Sequence, residues 1–375
     1  MKLFDLKQNI TAVHLSQLLL KKGISFCLYR LPQSRNYNLA IQRDFLLKAG
    51  QDLTSGEEAD FIIAPFIKNN ESKAVLLRKF SLDQNNAAFI SFINSIDDRP
   101  TSWSQLPSSA TKEDYLQKIG NYLADIKSGK LLKAILSRVI LIDKSKDFDP
   151  FNFFVRLESA YPETFASLFY VPGMGIWAGA TPELLLKKEK NQYYSMALAA
   201  TQPKNNEGNY VWRKKEEEEH RLVRLHIEDV FLKNDCVLID SKGPYTIETG
   251  QVAHLKTDYT FEEKGVSDLA KIIAELHPTP AVGGLPVNAA LNCINQYEGY
   301  NRNYYTGYIG EINGSDSAQL FINLRCMQIG KDKIAIFVGG GISQDSEPGE
   351  EWTETAQKSL TLLEIIDKTN RAHTN

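Results

Sequence analysis

Long apolar runs and amphipathic helices alternate irregularly in this chain, and that alternation most restricts the folds open to it. The run 131–142 predicts a strand. It follows a predicted helix whose start carries the capping pattern Thr111-Lys112-Glu113-Asp114. Further strands are expected at 320–324 and 334–338. No GxGxxG motif follows a strand, so a dinucleotide-binding fold is not expected.

Composition and charge narrow the class of protein. The chain has 375 residues, 43% of them hydrophobic, and a net charge of −3, which suits a globular protein with a sizeable core. Because it has no basic stripe, no nucleic-acid partner is expected. No apolar stretch is long enough to span a bilayer, and charges interrupt residues 1–7. We therefore expect no membrane association, no signal peptide and a cytoplasmic protein.

The four cysteines are predicted to be buried free thiols. They are far apart and form no CxxC pair, so neither a redox motif nor a structural zinc site is expected. This cysteine usage is typical of a reducing compartment.

One glutamate stands out in the predicted helix that follows residue 213. Glu219 lies four positions before the apolar Val223 and therefore shares its buried face. Glu216, Glu217 and Glu218 are free to point toward solvent. The acidic run is either a solvated helix start that complements the macrodipole, or it places one inward carboxylate that needs a cation partner.

A second acidic group lies near the C-terminus. Glu351, Glu354 and Lys358 are spaced i, i+3 and i+7 on a face that becomes apolar. They are either a surface ion-pair ladder between Glu354 and Lys358, or, together with Glu219, they are ligands for one hard cation. A few carboxylate ligands that leave room for water suit Mg²⁺.

Glu183 and Lys133 are candidates for acid–base chemistry. Glu183 lies between a turn and an apolar run, where desolvation would keep a carboxyl protonated. Lys133 lies at the start of an apolar strand, where desolvation would lower its pKa and make it a usable base. An exposed strand-edge glutamate and a snorkelling lysine are the alternatives.

Three smaller features suit an anionic substrate. Arg325 follows a strand and has the geometry to pair with a carboxylate. Gly339-Gly340-Gly341 follows the strand 334–338, and its bare backbone lets a ligand approach closely. His277 ends a helix, within reach of a substrate hydroxyl. Tight turns and helix stops explain the glycines and the histidine equally well.

Taken together, these segments resemble the chorismate-binding enzymes. The matching segments, in the family's order, are 133–138 (KAILSR), 179–185 (GATPELL), 219–220 (EH), 277–282 (HPTPAV), 305–310 (YTGYIG), 339–342 (GGGI) and 351–358 (EWTETAQK). The resemblance implies an α+β fold with two stacked antiparallel β-sheets and helices outside. It also implies one domain overall, with a variable N-terminal portion at 1–108 and a chorismate-binding catalytic region at 109–375.

The resemblance implies roles for individual residues. Glu219 and Glu354 would bind Mg²⁺ directly and Glu351 through water, and the metal would hold the ring carboxylate of chorismate. Lys133 would be the base that activates water for attack at C2, and Glu183 the acid that protonates the departing C4 hydroxyl. The substrate-binding group would be Thr201, His277, Tyr305, Arg325, Lys358 and the backbone of Gly339 to Gly341.

Within this family the sequence favours an isochorismate synthase, whose product is a precursor of menaquinone or siderophores. Ala199 stands where aminodeoxychorismate synthases have a lysine, so the covalent amine route is absent and no amidotransferase subunit is expected. Salicylate synthase, which also eliminates pyruvate, and a non-catalytic chorismate-binding homologue are the alternatives. The family's usual "AGT" is AAT here because of Ala200, and Gln202 replaces a frequent arginine. Both departures bear on how the substrate fits.

Overall fold

The computed structural model describes residues 3–49, 60–67, 73–82, 86–205, 207–265 and 267–371. Within these ranges the helices are α1 (Leu3–Lys21), α2 (Arg43–Lys48), α3 (Ala87–Asn94), α4 (Lys112–Lys127), α5 (Pro150–Ala160), α6 (Lys214–Lys233), α7 (Leu269–Leu276), α8 (Val287–Tyr297) and α9 (Pro348–Arg371).

The strands of the same ranges are β1 (Phe26–Arg30), β2 (Asn38–Gln42), β3 (Asp60–Ala64), β4 (Val75–Phe80), β5 (Lys133–Asp143), β6 (Phe165–Val171), β7 (Gly175–Thr181), β8 (Leu184–Glu189), β9 (Gln192–Pro203), β10 (Cys236–Thr249), β11 (Val252–Glu263), β12 (Gly284–Leu285), β13 (Tyr308–Asn313), β14 (Ser317–Ile322), β15 (Cys326–Ile329) and β16 (Lys333–Ile342).

The strands form one antiparallel series that folds over into two facing layers. Its order is β10-β11-β9-β8-β14-β13-β3-β4-β2-β1-β6-β7-β15-β16-β5-β12. Five strands separate β14 from β6, which in a flat sheet would place them roughly 29 Å apart. Yet the rings of Phe165 on β6 and Phe321 on β14 stack with centroids 4.6 Å apart. The predicted pair of stacked antiparallel sheets is therefore confirmed.

The hydrophobic core shows where the helices lie. The cluster that contains Phe165 and Phe321 has only strand and loop residues, so it fills the space between the two layers. Two of the other clusters join α6 and α7, or α1, α3, α5 and α9, to strands. The helices therefore cover the outer faces, as the resemblance implied.

Local signals near residue 111 predict the structure well. The Thr111 side chain caps α4 by accepting a hydrogen bond from the Asp114 backbone N–H at 3.1 Å. The strand expected at 131–142 is β5, which begins at Lys133. Because β5 pairs along its length with β16, it places Lys133 two residues beyond Ile135, the register partner of Gly341.

The described parts of residues 1–108 join the same sheet as the rest of the chain. Strand β1 pairs with β6, and β3 pairs with β13. The four cysteines are buried and free, as predicted. In the described ranges, no helix combines the length and apolarity needed to cross a bilayer.

Candidate active site

A small cavity of about 90 Å³ lies where β5, β9, β16, α6 and α9 meet. Most of the residues singled out in the sequence face it: Glu183, Thr201, Glu219, Tyr305, Arg325, Gly339, Gly341 and Lys358. Ala199, Ala200 and His254 line it as well. Segments more than 100 residues apart in the chain therefore converge on one site.

The three glycines lie inside a strand, which corrects the expectation that they follow it. Gly339 to Gly341 belong to β16 and pair with Ser137 to Ile135 on β5. A Cβ on Gly341 would lie 2.7 Å from Glu219 Oε1 and 2.8 Å from Lys133 Cε. The strand lacks side chains here because those of the site cross its face. The need for glycine here comes from tertiary packing and not from the local sequence, so a turn was the simpler interpretation of the sequence.

Lys133 and Glu219 form the innermost ion pair of the site. Lys133 is 1% exposed and donates a hydrogen bond from Nζ to Glu219 Oε1 at 2.7 Å. Burial raises the pKa of Glu219, but the charges of Lys133, Lys358 and Lys215 more than offset this and hold the pKa below its ordinary value. Glu219 is thus an inward carboxylate, as its spacing from Val223 predicted.

The neighbouring acidic residues do not all point outward as expected. Glu216 is 3% exposed because it accepts hydrogen bonds from the backbone N–H and guanidinium of Arg213. This arrangement caps α6. Helical periodicity did not predict that Glu216 is buried. Its partner, Arg213, lies before the helix, where that periodicity does not apply.

Glu351 and Glu354 approach the same glycine segment from α9. A Cβ on Gly340 would lie 3.2 Å from Glu351 Oε2 and 3.9 Å from Glu354 Oε1. Glu351 is 1% exposed. It pairs with Lys215 at 2.6 Å, and Glu354 pairs with Lys358 at 2.6 Å. The i, i+4 ion pair considered in the sequence is therefore present, but it faces the site.

Two observations bear on a metal ion. Glu351 Oε2 is buried and has no hydrogen-bond partner, and burial together with the charge of Glu354 raises the pKa of Glu351. In the described part of the chain, however, no three His, Cys, Asp or Glu side chains gather closely enough to hold a metal. Each of the three carboxylates instead faces a lysine. The carboxylates surround Gly340 and Gly341 but are balanced by ammonium groups.

Glu183 provides the clearest perturbed carboxyl group of the site. It lies between β7 and β8 and is 6% exposed. Burial raises its pKa to about 7, although the charges of Lys133, Arg325 and Lys358 oppose the shift. At neutral pH a large share of this carboxyl is therefore protonated and able to donate a proton.

His254 on β11 was not identified from the sequence. Its Nδ1 donates to the Ala200 carbonyl at 2.9 Å, which leaves Nε2 to accept a hydrogen bond from Arg325 Nη2 at 3.1 Å. Burial and the charge of Arg325 lower the pKa of His254 to about 3, so the ring is neutral. Arg325 also donates to Thr361 Oγ1 at 3.4 Å. A histidine in an apolar strand gives no local signal of this role.

His277 is the one predicted substrate contact that lies away from the cavity. Its Nε2 faces the Thr306 carbonyl at 2.8 Å, and its ring packs edge-on against Phe66 and Tyr308. Because Thr306 lines the cavity, His277 supports the wall from behind. Its position at the end of α7 is as predicted.

The two departures from the family pattern have structural counterparts. Ala200 has φ +64°, a conformation that suits glycine and costs an L-residue about 1–2 kcal/mol. Gln202 donates from Nε2 to the Val211 carbonyl at 2.8 Å and so ties the segment before α6 to β9.

Comparison with known proteins identifies the family. The sequence profile described as "Chorismate binding enzyme" matches residues 6–367. The isochorismate synthase EntC of Escherichia coli (strain K12) is 27% identical over 299 residues, covering 77% of this chain and 75% of EntC. The vibriobactin-specific isochorismate synthase of Vibrio cholerae is 29% identical over 283 residues, covering 69% of this chain and 68% of that protein.

A solved structure supports the same fold. MenF, the menaquinone-specific isochorismate synthase from Escherichia coli, superposes with a TM-score of 0.73 at 19% identity, covering 94% of this chain and 91% of MenF. Because the family profile spans nearly the whole chain and the fold agrees, this chain belongs to the chorismate-binding enzyme family.

Proposed function

We propose that the chain is a magnesium-dependent isochorismate synthase, which interconverts chorismate and isochorismate. Water attacks C2 of the chorismate ring, and the C4 hydroxyl departs. The observation that carries the proposal is the placement of Glu183 in the cavity wall, where burial raises its pKa to about 7, together with Lys133, which bonds to Glu219 in the wall of the same cavity. The isochorismate synthases among the relatives support the same reaction.

Glu183 acts as the general acid in this proposal. A large share of its carboxyl is protonated near neutral pH and faces the cavity, so it can deliver a proton to the departing C4 oxygen. Lys133, in its free-amine form, acts as the base that takes a proton from the attacking water. The contact with Glu219 fixes the Lys133 Nζ beside Gly341, since a long lysine chain would otherwise sample many rotamers.

The substrate's enolpyruvyl carboxylate is assigned to the cationic end of the cavity. Arg325 lines this end, and its guanidinium is oriented by His254 and Thr361. Lys358 reaches the same region and donates to the Gly339 carbonyl at 3.0 Å. A planar guanidinium held in this way pairs well with a carboxylate. Thr201 and Tyr305 complete the polar lining.

The acidic residues offer two direct oxygen ligands to a hard divalent cation of the kind that completes its coordination with water and substrate oxygens. Glu219 and Glu354 would hold Mg²⁺ directly and Glu351 through water. The fit is supported by the partnerless Glu351 Oε2, a buried acceptor oxygen that a cation would satisfy. Bound Mg²⁺ would supply positive charge for the ring carboxylate of chorismate. The chain's own contribution is to place three carboxylates next to Gly340 and Gly341.

The proposal favours water over an amine as the nucleophile. Ala199 lines the cavity and carries no amine, so the covalent route is absent. We expect added ammonium to have no effect, and we expect no amidotransferase subunit.

Product analysis tests the proposal. The chain is incubated with chorismate and Mg²⁺, and the products are separated. Isochorismate should form reversibly, and EDTA should abolish turnover. Lactate dehydrogenase and NADH then report pyruvate. Stoichiometric loss of NADH without an added lyase would instead assign the chain as a salicylate synthase, and no conversion of chorismate would refute an enzymatic role.

A further inference from the structure

Arg138 is a buried cation with no carboxylate partner. It lies on β5 and is 5% exposed, yet it forms no ion pair with any described residue. Burial lowers its pKa, and no carboxylate opposes the shift. Burying an unpaired charge costs free energy of folding, and an apolar side chain would fill the same space at a lower cost in free energy. The contacts that Arg138 does make therefore need an explanation.

Those contacts lie mainly on the first turns of α9. The guanidinium carbon lies 3.8 Å from the centre of the Trp352 ring, and Nε donates to Thr355 Oγ1 at 2.8 Å. Trp352 and Thr355 are spaced i, i+3, so they face β5 together. Each directly follows a carboxylate of the site, Glu351 or Glu354. Arg138 thus contacts the two residues of α9 that directly follow Glu351 and Glu354.

The position of these turns is critical because the space beside the glycines is small. Glu351 Oε2 approaches to 3.2 Å from where a Gly340 Cβ would lie. Gly340 pairs with Leu136, two residues before Arg138 on β5. The arginine is therefore attached to the same strand pair that carries the glycines, and it links that pair directly to α9.

The contacts of Arg138 also differ in kind from the ion pairs that Glu351 and Glu354 form, the second of which lies within α9. The ion pairs Lys215–Glu351 and Lys358–Glu354 use the carboxylates themselves. A cation that takes those oxygens competes with both pairs. The stack on Trp352 and the bond to Thr355 use no carboxylate, so they persist whichever cation the glutamates face.

We propose that Arg138 is a positioning residue that fixes the start of α9 against β5 and thereby sets the carboxylates of Glu351 and Glu354 for a divalent cation. This inference rests on the proposed function, because it takes these carboxylates to be metal ligands. A planar guanidinium is required, since it stacks on an indole and donates sideways at once. The compact ammonium group of a lysine does neither well.

Metal affinity of the full chain tests the proposal apart from activity. Mn²⁺ binding is measured by titration calorimetry or by the EPR signal of free Mn²⁺, for the wild type, Arg138→Lys and Arg138→Met. Both variants should bind Mn²⁺ about tenfold more weakly, since the stack and a charged hydrogen bond are lost. Lys187→Met is the matched control. It removes another cation above an aromatic ring, Tyr194 at 5.5 Å, away from the cavity, and should bind like the wild type.

The variants separate positioning from charge. Wild-type Mn²⁺ affinity in a folded Arg138→Met or Arg138→Lys chain would overturn the proposal. If Arg138→Lys alone kept that affinity, a positive charge without a planar guanidinium would be sufficient. If neither variant folds, Thr355→Val decides. It removes the acceptor of the Nε bond, and with it only a local bond to the Trp352 carbonyl. Weaker Mn²⁺ binding supports the proposal, and unchanged binding overturns it. A wild-type chain that binds no Mn²⁺ would refute the metal site itself, and the inference with it.

Discussion

Replacing Glu183 with glutamine should make the protein more stable at alkaline pH while removing its activity. Burial raises the Glu183 pKa from an ordinary value of 4.5 to about 7. In the unfolded chain this carboxyl ionises above about pH 4.5, whereas in the folded chain it holds its proton until about pH 7. The folded state therefore binds more protons in this window, and its stability falls as the pH rises through it.

The size of the effect follows from the shift. A difference of one pKa unit corresponds to about 1.4 kcal/mol, so the rise from 4.5 to about 7 corresponds to about 3 kcal/mol. That stabilisation is fully present below pH 4.5 and lost above about pH 7. Glutamine has nearly the same shape and cannot ionise. Glu183→Gln should therefore match the wild type at low pH and exceed it by up to about 3 kcal/mol at about pH 8.

Urea unfolding in EDTA at several pH values between about 4.5 and 8 measures this difference. The free energies of unfolding of the two proteins should diverge as the pH rises. Glu183→Ala is not a suitable substitute, because it adds a cavity term at every pH. A difference that stays constant with pH would refute the reasoning, since it would mean that Glu183 titrates normally in the folded state.

The remaining predictions concern catalysis and ligand binding. Glu219→Ala or Glu354→Ala should abolish Mg²⁺-dependent turnover while circular dichroism shows a preserved fold; full activity in either variant would exclude that ligand. Lys133→Ala should lower kcat at least ~10²-fold, the usual scale for losing a positioned proton-transfer group, while calorimetry still detects chorismate binding; loss of binding would make Lys133 a substrate anchor instead. His254→Leu removes the acceptor that orients Arg325 and should raise the KM for chorismate about tenfold with a smaller change in kcat; an unchanged KM would mean that Arg325 needs no such support.

Local patterns in the sequence predict the elements that carry the site. The capping pattern at Thr111 and the run 131–142 give α4 and β5. The spacing from Val223 correctly places Glu219 inward. These predictions succeed because helix and strand periodicity depends on neighbours in the chain. The catalytic roles of the residues stay predictions.

The pairing of charges could not be read from such patterns. Lys133 and Glu219 lie 86 positions apart, and Lys215 and Glu351 lie 136 apart. Their contacts arise only when β5, α6 and α9 converge on β16. The same holds for His254, whose role depends on a carbonyl of β9 and on an arginine between β14 and β15. Sequence periodicity identifies the inward face of each element but not the partner it meets.

The charge balance of the site ties the cation to the substrate. Three glutamates of the site are matched by three lysines, and Glu183 is partly neutral near pH 7 because its pKa is about 7. Arg325 bonds to His254 and Thr361 and forms no ion pair with a described residue, so near pH 7 the cavity has less than one positive charge in excess. Chorismate has two carboxylates, which is more negative charge than Arg325 alone balances. A divalent cation supplies the remainder, so Mg²⁺ and chorismate should each strengthen the binding of the other by the same factor.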